Sequence, residues 1–175
     1  LCWKAGSRRL SGAERWFKKY EITLFRKSRT GVKAEGTEMG FRSALAALCR
    51  EQEKELEENG PSYDYRIGSH KAGHLNQVYE KSLVQGVCQA LQLFETKSHM
   101  VFVDHSFIMM AEYLCVQIKR MGSGHVIREE ELAFLSPEGK GDALSESLAD
   151  TLEFVCRVQY PAEERNYVYL LLSGA

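Results

Sequence analysis

Asp104-His105-Ser106 brings together the residue types of a nucleophilic relay, and Cys88, His99 and His105 put a thiol and two imidazoles into one stretch of chain. Covalent catalysis needs a base within hydrogen-bond reach of the nucleophile and a third group that orients the base. Three consecutive residues on a helix point in three directions, so the triplet cannot form that relay alone. No strand-to-helix nucleophile elbow flanks it either. An enzyme with a site near Cys88, His99 and His105 would therefore have to be assembled by the fold.

Metal and phosphate chemistry fare no better. His70 and His74 have i, i+4 spacing, but Gly73 lies between them and no Cys or carboxylate at ligand spacing completes a set. Gly122, Gly124, Gly139 and Gly141 form neither G-x-x-x-x-G-K-[ST] nor G-x-G-x-x-G, and Gly139-Lys140-Gly141 reads as a turn. The expected metal and cofactor content is none, and no residue is assigned a catalytic role. Gly68-Ser69-His70 also fits a join left by engineering as well as a native loop.

Charge is more informative. From Leu1 to Lys33 there are ten basic and two acidic residues; Glu35 to Glu58 has seven acidic and three basic, and Arg128 to Arg165 ten acidic and four basic. In the first stretch Trp3, Trp16, Phe17, Tyr20 and Phe25 are interleaved with the cations. Cations beside aromatics suit an acidic protein surface, a phosphate backbone with stacking bases, or an anionic membrane face. They also suit an intramolecular arrangement, in which the aromatics enter the core and the cations face the chain's own acidic segments. With a net charge of −1 and a sequence pI of about 6.6, the chain is not globally attracted to polyanions. The favoured expectation is a non-catalytic adaptor or assembly module that binds an acidic protein surface or peptide. Its contact residues would be Trp3, Arg8, Arg9, Arg15, Trp16, Lys18, Lys19, Arg26 and Lys27, with the aromatics as anchors. A nucleic-acid-binding domain using the same surface is the second reading, and the enzyme is the third.

The elements that would position these residues follow from periodicity. At 175 residues the chain has the size of one domain, and residues 1–33 form its basic N-terminal segment. Starting at Leu1 without a leader, it reads as a piece of a longer protein. Five scattered cysteines with no C-x-x-C pair indicate a reducing location, cytoplasmic or nuclear. Ser11 to Glu14 is a capping box for a helix through Tyr20, and Glu21 to Arg26 alternates as a strand before a turn at 28–31. Thr37 to Asn59 and Gly73 to Glu95 carry helical stripes. His99 to Met121 is apolar nearly all round, as a central buried helix would be, although 100–103 also fits the start of a buried strand. His125 to Leu135 is expected to contain a strand, Asp142 to cap a helix through Val158, and Tyr167 to Leu172 to form a strand. The expected fold is α+β: a mostly helical single domain with a central buried helical hairpin at about 73–121 and a small sheet from terminal strands. Met100 to Ile118 is long enough to span a membrane, but Asp104, His105, Glu112 and Gln117 argue against that.

Overall fold

The computed structural model describes residues 12–27, 31–57, 75–133 and 142–174. Helix α1 (12–18) is followed by strands β1 (Thr23–Lys27) and β2 (Gly31–Glu35) and by α2 (Glu38–Glu57). Next come α3 (Leu75–Val78), α4 (Lys81–Ser98) and α5 (Asp104–Gly122), then α6 (Glu129–Ala133), α7 (Ala143–Cys156) and α8 (Ala162–Ser173). The result is a mostly helical α+β arrangement with one two-stranded antiparallel sheet.

The sheet is the β1–β2 hairpin, in register from Thr23 opposite Glu35 to Lys27 opposite Gly31. Gly31 closes it at φ +91°, a conformation that L side chains rarely adopt. Ile22, just before β1, is buried and donates its backbone N–H to the Phe17 carbonyl, which fixes the turn from α1 into the hairpin. A Cβ at position 40 would collide with the Tyr20 carbonyl oxygen, so Gly40 lets this arm, α1 plus the hairpin, sit directly on the first turn of α2.

The helical body is built on α4 and α5. From α4, Val84, Val87, Cys88, Ala90, Leu91 and Phe94 are buried; from α5, Phe107, Met110, Ala111, Leu114, Cys115, Val116 and Ile118 are buried. α5 is thus enclosed on most of its circumference, as its composition predicts. The expected hairpin of 73–121 exists as α4 packed on α5, but α4 packs more extensively on α7, through Leu148, Ala149 and Leu152. α7 in turn packs on α8, and α2 on α5. Among the described residues no helix is long and apolar enough to cross a membrane.

Four sequence expectations are corrected. The stripe of 73–95 is not one helix: α3 ends at Val78, and Glu80 is extended ahead of α4. Residues 100–103 are neither helix nor strand. His99 turns left-handed at φ 56° and ends α4, and the side chains of Ser98 and Glu95 accept from the Met100 and Phe102 amides, so the link stays extended. The strand expected at one or both ends of the triplet Glu129 to Glu131 is absent among the described residues: 125–128 form a link, and Glu129–Ala133 is helical, its three first-turn carboxylates suiting a helix N-terminus. Tyr167 to Leu172 lies within α8. Its Tyr and Val favour strands, but Pro161 opens a helix whose Glu164, Tyr167 and Val168 share the buried face, and tertiary packing overrides propensity. The expected Asp142 cap is present, with Oδ1 accepting from the Ser145 amide at 2.8 Å.

Candidate interaction surface

Arg15, Lys18 and Lys19 are exposed on α1, and Arg26 and Lys27 occupy β1 opposite Val32 and Gly31. Phe25 and Val32 are 44% and 48% exposed, so the hairpin adds apolar area beside the cations. Trp16 is half-buried. Its ring meets Phe17 edge-on at 5.1 Å and Tyr20 at 4.9 Å, and its indole N–H donates to Glu51 Oε1 at 2.9 Å. That pins α1 to α2 and leaves Phe25 as the more available aromatic. Trp3, Arg8 and Arg9 lie outside the described residues.

Several carboxylates of the helical body pair with cations of that body. Glu38 is bound by Arg42 and Arg120, and Glu164 by Arg42. Arg165 gathers Glu146, Asp150 and Glu153 at 2.7–2.9 Å, Arg128 lies 3.6 Å from Glu131, and Lys119 meets Glu80. In the arm, Lys33 pairs within its own strand with Glu35.

Sequence reasoning did not find the strongest polar feature, a buried ion cluster at the start of α2. Arg42 is fully buried and donates from Nη1 and Nη2 to the two oxygens of Glu164, both at 2.7 Å, and from Nε to Glu38 at 3.0 Å. Its guanidinium also lies 5.0 Å from the centre of the Tyr167 ring. Glu164 further accepts from the Ile127 amide at 2.9 Å and from Gln117 Nε2 at 2.8 Å. Burial alone would raise the Glu38 pKa, but hydrogen bonds and charge from Arg120 and Arg42 outweigh it and hold the carboxyl below its usual range. Glu38 and Arg42 advertise themselves by i, i+4 spacing; nothing in the sequence singles out Glu164, 122 residues away.

The residues that could do covalent chemistry are dispersed. Cys88 is buried in α4, and burial pushes its thiol up, the reverse of activation; His99 and His105 are exposed. Burial likewise raises Cys49, Cys115 and Cys156. A shallow groove of about 340 Å³ beside the 100–103 link is lined by Met100, Val101, Val103, Leu144 and Leu172, with Ser106, Asp142 and Ser173 among its lining. Among the described residues no cluster of three or more His, Cys, Asp or Glu could hold a metal.

No protein-family profile matches the chain. It is similar to a transcriptional regulator, ManR of Bacillus subtilis strain 168: 28% identical over 167 residues, 94% of this chain. The matched stretch spans only 24% of that protein's length.

Proposed function

We infer that the chain is a non-catalytic interaction module, working inside the cell as part of a larger regulatory protein, and that its α1–hairpin arm is the contact surface for an acidic partner. One observation carries this: exposed Arg15, Lys18 and Lys19 on α1 and an exposed Phe25 on β1 put cations and an apolar ring on one arm. Charge on such a surface steers encounter and sets specificity, and an exposed aromatic supplies burial at its centre. The favoured partner is an acidic protein segment.

Nucleic acid is the second reading, favoured by the similarity to a transcriptional regulator. Fluorescence anisotropy separates the two, using a labelled glutamate-rich peptide and a labelled DNA duplex from 50 to 300 mM salt. Binding of the peptide that weakens gently with salt, and that is lost in Lys18→Glu/Lys19→Glu, supports the protein partner. Duplex binding that falls as a high power of salt supports nucleic acid. Neither probe binding at 50 mM refutes the inference.

A further inference from the structure

The buried ion cluster sits where the arm, α2, α5 and α8 meet. Its four charges balance, with Arg42 and Arg120 against Glu38 and Glu164, and each belongs to an element that reaches elsewhere. Glu38 and Arg42 are in the first turns of α2, where Gly40 packs beneath the Tyr20 carbonyl of the arm. Glu164 is in the first turn of α8, Arg120 and Gln117 are near the end of α5, and the His125 carbonyl and Ile127 amide come from the link after it. Glu131 of α6 completes the junction by accepting from the Met39 amide of α2 at 3.1 Å. A cluster of this kind is favourable when complete and costly when partly satisfied, because the charge left behind stays buried. Partial disruption is therefore its least favourable arrangement.

We propose that this cluster couples the seating of the arm to the docking of α8, so that the two are held or released together. Undocking α8 withdraws Glu164 and leaves Arg42 with one carboxylate that it shares with Arg120. Arg42 then has to swing out of the core, and the first turn of α2 loosens beneath Tyr20. Displacing that turn withdraws Arg42 from Glu164 by the same route in reverse. α8 is also held by Leu171 and Leu172 against the core and by Arg165, which binds three carboxylates of α7, so the part that answers to the cluster is its first turn, where Glu164 lies, with Tyr167 one turn on and packed on Arg42. A partner that seats the arm would tighten α8, and a partner on α8 would by linkage change the arm to the same degree. The consequence for binding rests on the arm being the contact surface; the coupling itself does not.

The test is amide hydrogen exchange on the full chain without ligand, so it is independent of whether the arm binds anything. In Glu164→Gln, exchange is expected to rise at least tenfold both in α8 and in the segment from Ile22 to Arg42. Ile22→Ala, which loosens the arm from its far side, is expected to raise exchange in α8, and it serves alone if Glu164→Gln does not fold. Val87→Ala in α4 is the control for general loosening. A rise confined to α8 in Glu164→Gln, no rise in α8 in Ile22→Ala, or a rise of equal size at both places in Val87→Ala would overturn the coupling.

Discussion

Replacing Arg42 with Met tests the buried cluster by its energy. The substitution keeps most of the aliphatic volume and removes the cation, leaving Glu164 with the Ile127 amide and Gln117 but no counter-charge in a site with no solvent exposure. Breaking a buried pair from one side costs about 3–5 kcal/mol, most of it the penalty of the charge left behind. For a chain of this size a urea m-value of about 2 kcal/mol/M converts that to a midpoint lowered by about 1.5–2.5 M. Glu164→Leu alone should cost a similar amount. The pair of substitutions together should cost less than either single change plus about 1 kcal/mol, since no charge is then stranded, although Ile127 loses its acceptor. Urea unfolding followed by far-ultraviolet circular dichroism gives all four corners of the cycle. Simple addition of the two single losses, or a single loss below about 1 kcal/mol, would refute the claim that these charges depend on each other.

Other outcomes follow from the same structure. The carboxyl of Glu38 has a lower pKa folded than unfolded, so its contribution to stability is complete above the model-compound value of 4.5 and is lost as pH falls below it. Urea midpoints between pH 7 and pH 3 should therefore drop at the acid end, and less steeply in Glu38→Gln. Phe94 is fully buried between α4 and its neighbours, so Phe94→Ala should cost about 3–5 kcal/mol, whereas Phe154, 83% exposed, should change stability by less than about 0.5 kcal/mol when truncated. In a Cys2→Ser/Cys156→Ser background the three remaining thiols, Cys49, Cys88 and Cys115, should react with an aromatic disulfide reagent only as fast as the protein opens. Burial raises each of them, and prompt labelling of native protein at pH 8 would contradict their placement.

The helical body was legible because α5 is apolar on nearly every side and α4 keeps one stripe over its whole length. Both patterns state burial directly, and Asp142 marks the start of α7 by residue type. The C-terminal helix was not legible. Tyr167, Val168 and Tyr169 suit a strand locally, and the face that favours a helix there is buried against partners far away in sequence, among them Arg42 for Glu164. The same holds for the ion cluster: Glu38 stands one turn from Arg42 in the sequence, but only the fold brings Glu164 to it. The link at 100–103 misled for a different reason, since an apolar run implies burial, yet Val101 is 75% exposed there. For the arm, sequence alone located the cations and the strand, while the use of the Trp16 indole by Glu51 needed coordinates.

The most direct test of the arm as a contact surface is a chemical-shift map of the isotopically labelled chain, titrated with the glutamate-rich peptide at 50 mM salt. The expected result is that the amides of Arg15 to Lys19, Thr23 to Lys27 and Gly31 to Glu35 move together and saturate, with smaller shifts at the start of α2 and in α8. Shifts centred instead on the groove beside 100–103 or on the outer face of α7, with the arm unmoved, would contradict it.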